Sequence, residues 1–172
     1  MFKYVFSVVL AVAGLGSGSV VHASTTVISN AQNSTCISLD GSKDPGHTAR
    51  ATTCDGSDGQ QWNTQVVAFG YGGTAIVRFV NAYSGLCLDN APGPNAGVVQ
   101  SICNGSATQQ WQIDAPQIRS STGNPVAVSR QIRSQSGYCL DGNLYAGQFN
   151  VNAATCAPND SSATQDWYVD VF

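Results

Sequence analysis

Glutamate is absent from this 172-residue chain, and its ten acidic residues are all aspartate. Basic residues are sparse and scattered: Arg50, Arg78, Arg119, Arg130 and Arg133, with Lys3 and Lys43, for a formal net charge of −3. Nucleic acids and anionic membranes are held by clustered Lys and Arg, so neither is expected as a partner. Histidine occurs only as His22 and His47, and no two cysteines stand in a Cys-x-x-Cys pair. A zinc site has little to build on, and neither metal nor cofactor is expected. There is no Gly-x-Ser-x-Gly elbow. A glycosidase needs two carboxyl groups within about 5–10 Å, and the close pair Asp55 and Asp58 reads as two solvated turn residues. No catalytic residue is assigned, and the chain is not expected to be an enzyme.

Long apolar runs are missing as well, except at the N-terminus. Lys3, the apolar stretch Tyr4 to Gly14 and the small-residue site Val21-His22-Ala23 make up the pattern of a secretory signal peptide over residues 1–23. The stretch is shorter than the roughly 20 residues that span a bilayer, so membrane insertion is not expected. Cleavage near Ala23 would leave 149 of the 172 residues. That length suits one domain, in an extracellular or periplasmic setting.

What the chain does have is a threefold internal repeat. Each of its tryptophans, Trp62, Trp111 and Trp167, follows a glutamine by two positions: Gln60, Gln109 and Gln165. The tryptophans are 49 and 56 residues apart, a period near 50. Upstream of each stand two cysteines and an aspartate: Cys36, Asp40 and Cys54; Cys87, Asp89 and Cys103; Cys139, Asp141 and Cys156. Three units are too few for a propeller, and the spacing is not that of paired helices. Three short-stranded β units closing on one another share one core and leave no free edge, which predicts a threefold β barrel.

Six cysteines in an exported chain read as disulfides, with 15 possible connectivities. The simplest pairing that respects the repeat is Cys36–Cys54, Cys87–Cys103 and Cys139–Cys156. The runs Thr74 to Val80 and Ala127 to Ile132 read as strands, and Gly70–Gly73 and Ser121–Pro125 as turns. In Gln-x-Trp the two residues share one strand face, so the tryptophans are expected in the core. The segment Ala91–Gly97 is expected as a loop at the mouth of the middle unit.

The order Cys87-Leu88-Asp89, Cys103-Asn104-Gly105, Gln109-Gln110-Trp111, with its copies on either side, resembles the ricin B-type lectin family. The resemblance implies an all-β β-trefoil over residues 24–172, with repeats at about 27–73, 74–125 and 126–172, that binds galactose-type or other glycans. It also implies that the aspartate of each repeat is the central sugar contact and that the Gln-x-Trp glutamine helps to hold it. The candidate carbohydrate-binding sets are then Asp40, Asp55 and Gln60; Asp89, Asn104 and Gln109; and Asp141, Tyr145, Asn152 and Gln165. Asn104 matches an asparagine used by some members, where the first repeat has Asp55 and the third Ala157. Many members place an aromatic platform shortly before the second cysteine. Here those stretches are Arg50–Thr52, Val99–Ser101 and Asn152–Ala154, so Tyr145 or Phe149 would have to supply one in the third repeat. The middle repeat is the most regular, so sugar contact is expected to centre on Asp89 with Asn104 and Gln109, with Asp141 and Tyr145 as the next best set. Asp89→Ala is expected to leave the fold intact because Asp89 should face the loop mouth. Two other readings are a targeting subunit that docks a catalytic or toxin partner, which a large exposed apolar patch would favour, and a β-trefoil protease inhibitor acting through one long loop.

Overall fold

The computed structural model describes residues 25–71, 74–114, 130–142, 150–158 and 162–169. Among these, thirteen strands and three single-turn 3-10 helices occur. The first repeat supplies β1 (Ile28–Asn30), β2 (Thr35–Ser38), β3 (Arg50–Thr53) and β4 (Trp62–Phe69). The second supplies β5 (Thr74–Asn81), β6 (Cys87–Asp89), β7 (Val99–Ser101) and β8 (Trp111–Asp114). The third supplies β9 (Arg130–Gln131), β10 (Arg133–Ser134), β11 (Tyr138–Asp141), β12 (Asn152–Thr155) and β13 (Asp166–Val169). The expected strand over residues 74–80 is β5. Of the strand expected over 127–132, residues 127–129 lie outside the described residues, as does the turn Ser121–Pro125.

Two sheets run in the orders β3-β2-β1-β13-β9 and β12-β11-β10-β8-β5-β6-β7, with β4 paired to β5. The first described strand therefore pairs with the last, Ile28 opposite Val169, and this closes the barrel. Alternation fixes which side of β5 faces inward: Ala75, Val77, Phe79 and Asn81 are buried, and the residues between them are partly exposed. Trp62, Trp111 and Trp167 are at most 1% exposed and fill the centre. Each indole N–H donates to the carbonyl just after a first cysteine: Ile37 at 3.2 Å, Leu88 at 3.1 Å and Leu140 at 3.0 Å. Burying an indole without a partner would cost free energy, and these bonds satisfy it in all three repeats.

The three repeats also close on one another through a ring of backbone bonds. Ala49 N–H donates to Val98 at 2.7 Å, Val98 N–H to Val151 at 2.8 Å, and Val151 N–H to Ala49 at 3.0 Å. A second set of ties uses asparagine amides. Asn30 donates to the Thr164 and Asp166 carbonyls, and Asn81 to those of Gly59 and Gln61. Ser134 stands at the corresponding place in the third repeat. There Asn90 reaches in from the second repeat and donates to the hydroxyls of Ser134 and Ser136, both at 2.9 Å. The disulfides are Cys36–Cys54, Cys87–Cys103 and Cys139–Cys156, as the repeat predicts.

Candidate functional site

The position two residues after each first cysteine ends a strand at the barrel rim: Ser38 on β2, Asp89 on β6 and Asp141 on β11. The cysteine pairing and the Trp-to-carbonyl bonds fix that register. Sequence spacing suggested Asp40 for the first repeat, because Asp40 and Gln60 are separated like Asp89 and Gln109. The structure puts Ser38 there instead. A loop longer by two residues after β2 carries Asp40 outward, on left-handed backbone with φ 49°. Asp40 faces Arg50 Nε at 3.7 Å with its side chain 38% exposed, an exposed ion pair of little energetic weight. Ser38 Oγ accepts the Asp40 N–H, as Asp89 Oδ1 accepts that of Ala91 at 2.8 Å.

Behind each rim position lies the Gln-x-Trp glutamine, fully buried or nearly so. Its Oε1 accepts backbone N–H groups just after the second cysteine: Asp55 and Gly56 for Gln60, Asn104 and Gly105 for Gln109, and Ala157 for Gln165. One amide hydrogen goes to the carbonyl just before that cysteine, of Thr53, Ile102 or Thr155. The other distinguishes the repeats. Gln109 gives it to Asp89 Oδ2 at 2.9 Å and Gln165 to Asp141 Oδ2 at 3.0 Å, whereas Gln60 gives it to Thr52 Oγ1. Two rims thus present a glutamine-held carboxylate, and the first does not.

Those carboxylates are more enclosed than the expected loop mouth implies: Asp89 is 3% and Asp141 8% exposed. Across the ladder, Asp141 faces Asn152, Asp89 faces Val99 and Ser38 faces Arg50. Of these three cross-ladder partners, only that of the third repeat sets an amide opposite a carboxylate. Asn104 lies next to Gln109, but its Oδ1 accepts the Ser106 N–H at 2.9 Å. Asp55 makes the same turn with Ser57. Its carboxyl is held below the usual 3.8 chiefly by the Ser57 backbone N–H and then by the Ser57 hydroxyl, which favour the ionised form. Both residues are therefore turn-formers here. Tyr145 and Phe149 lie outside the described residues.

The loop Ala91–Gly97 does not stand over its own unit. Asn95 N–H donates to the Ala153 carbonyl, Ala153 N–H to that of Ala96, and Gly97 bridges to Asn152. It forms a wall of the third rim, beside Asn152. Likewise Gly46 and His47 of the first repeat bond to Gln100 of the second. Sequence reasoning missed these loop-to-next-repeat contacts and the role of Ser38. For Ser38, the signal was present in the two-residue offset from Cys36.

A family model described as a ricin-type beta-trefoil lectin domain matches residues 24–122 and 75–171. No curated protein matches the chain. Among solved structures, a designed threefold-symmetric protein, ThreeFoil, is 18% identical with a TM-score of 0.68, over 86% of this chain and 99% of that one. An exo-β-1,3-galactanase from Clostridium thermocellum is 21% identical with a TM-score of 0.67, over 87% of this chain and 30% of that one. A Polyporus squamosus lectin, solved with a Neu5Ac-containing epitope, is 21% identical with a TM-score of 0.60, over 85% of this chain and 48% of that one. At these identities the likeness is one of fold.

Proposed function

The chain belongs to the ricin-type β-trefoil lectin family, and on that premise we propose that it is a secreted, non-catalytic carbohydrate-binding protein whose sugar contacts centre on Asp89 and Asp141. Export is inferred from the residue pattern of the first 23 positions. The observation that carries the site assignment is the pair of glutamine-held carboxylates, Gln109–Asp89 and Gln165–Asp141. A carboxylate oxygen accepts more than one hydrogen bond, so the oxygens can bridge neighbouring sugar hydroxyls while the glutamine fixes their orientation. Galactose-type and other neutral glycans are the ligand class. Asn152 supplies a second polar group to the third rim, which makes that rim the better furnished of the two.

A site that offers a few hydrogen bonds is expected to bind a monosaccharide with a dissociation constant of roughly 1 mM, about −4 kcal/mol. Two sites on one glycan surface raise apparent affinity on the order of 100-fold. A glycan array on the oxidised protein, followed by titration of the parent, Asp89→Asn and Asp141→Asn with the best ligand, tests this. Equal binding by all three proteins would overturn the assignment. A second reading, a binding subunit for a catalytic or toxin partner, draws on one observation: the exposed apolar strand β4.

A further inference from the structure

β4 departs from the rest of the barrel. Its residues from Gln65 onward are exposed, including Val66 at 40%, Val67 at 46% and Phe69 at 78%, and the chain continues into Tyr71 at 102%. One edge of β4 pairs with β5. The other begins a ladder with Thr26, through Thr26 N–H to Trp62 at 2.7 Å and Trp62 N–H to Thr26 at 2.9 Å. Beyond Trp62 that edge has no strand partner among the described residues. Exposed sheet edges in monomers are ordinarily guarded by charge or proline. The strands that follow the sister tryptophans, β8 and β13, are paired on both edges, and in sequence an aspartate stands three residues after each of those tryptophans, Asp114 and Asp170. The same position after Trp62 is Gln65, and no charged residue or proline occurs from Asn63 to Val77.

We propose that this edge is the contact surface for a second copy of the chain, joined by antiparallel pairing of β4 with β4 about Val67. Twofold pairing there sets Val67 opposite Val67, Val66 opposite Ala68 and Gln65 opposite Phe69. The segment is self-complementary, as an isologous contact requires. Charge selects the same surface: the chain carries a net −3, so two copies repel least where both are uncharged. Arg78, the nearest cation on β5, is engaged by Gln65 Oε1 at 3.0 Å.

Area sets the strength. Two aromatic rings of about 150–250 Å² each and the two valines come to well under the roughly 800 Å² per partner of a standard interface. The bulge between Val66 and Ala68 also shortens the usable ladder. The association is therefore weak and reversible, with a dissociation constant on the order of 100 μM. It doubles the rims carried by one particle, which on a glycan surface adds avidity.

Sedimentation velocity of the purified, disulfide-bonded protein from about 1 μM to about 1 mM tests the proposal without any sugar. A concentration-dependent dimer is expected, weakened at least tenfold by Val67→Lys and by Phe69→Ser, with melting temperatures near that of the parent. Val67 has no register partner on β5, so a lysine there leaves the hairpin ladder alone. A parent that stays monomeric throughout, or a Val67→Lys protein that dimerises like the parent, would overturn the proposal. Hydrogen exchange at the lowest concentration then identifies the alternative. Protection of the amides that share the outward direction of Trp62 N–H, Thr64 and Val66, means that the chain's own residues before Thr25 cover the edge, along the register that Thr26 begins. Unprotected amides leave the edge to a strand of a different protein.

Discussion

Gln109 donates its side-chain amide to Asp89 Oδ2 at 2.9 Å, and the two side chains are 0% and 3% exposed. The other Gln109 amide hydrogen and its Oε1 are already committed to backbone. Asp89 is thus the last acceptor that a buried amide needs, and removing it has a structural cost that an open loop mouth would not impose. Asp89→Ala is predicted to destabilise the protein by about 1–3 kcal/mol. The midpoint falls by about 2–4 °C per kcal/mol. Asp89→Asn keeps an acceptor and recovers most of the loss. Calorimetric melting of both variants checks this, and an unchanged midpoint for Asp89→Ala would refute it.

Gly97 is predicted to tolerate a side chain poorly, for reasons of space. A Cβ there would lie 2.8 Å from Thr48 Cγ2, at the seam where the first, second and third repeats meet. Gly97→Ala should cost roughly 1–3 kcal/mol by overpacking. Thr48→Ser removes the methyl and should restore much of that stability in the double variant. Additive losses in a chemical-denaturation cycle would count against the clash.

The fold was legible because its determinants recur. A tryptophan, a glutamine and two cysteines repeat near a 50-residue period, and each is held by contacts inside its own repeat, such as Trp111 to Leu88 and Gln109 to Asn104. The site was legible only where the register was unbroken. Asp89 and Asp141 sit two residues after their cysteines, whereas Asp40 shares the spacing to its glutamine but not the spacing to Cys36. Contacts between repeats were invisible for another reason. Asn90 and Ser134 are 44 residues apart, and their pairing restores a tie that Asn30 and Asn81 make elsewhere. No local pattern signals such a substitution, because it depends on which element lies across the barrel.

Asp55 gives a pH signature. Its carboxyl titrates below 3.8 in the folded protein because Ser57 donates to the ionised form. The stability from that turn is therefore fully present above 3.8 and is lost as pH falls through the lower folded value. Asp55→Asn keeps the turn, as Asn104 does with Ser106, and does not titrate. The parent's advantage over Asp55→Asn should be present at neutral pH and shrink below pH 3.8. Melting curves across that range would contradict this if the advantage grew on acidification.

The rims should differ in carbohydrate binding, and the order follows from what each presents. The first rim offers Ser38 with Arg50 across the ladder, and the Asp40 carboxylate is turned out on that arginine. Asp40→Ala should therefore bind sugar like the parent, although Asp40 lies as far from its glutamine in sequence as Asp89 does. Asp89→Asn and Asp141→Asn should each remove a charge-assisted contact worth roughly 1.5–3 kcal/mol, a ten- to hundred-fold loss at that site. Between the two, Asp141 has Asn152 opposite and the Asn95–Gly97 loop beside it, whereas Asp89 has Val99. Asn152→Val copies the middle rim onto the third and should weaken binding there without changing the fold, since residue 152 is only partly buried. Calorimetric titration of the four variants with one oligosaccharide separates these contributions. A loss confined to Asp40→Ala would mean that the carboxylate outside the glutamine-held position is the one that meets the ligand, and the glutamine-held geometry would then be scaffolding alone.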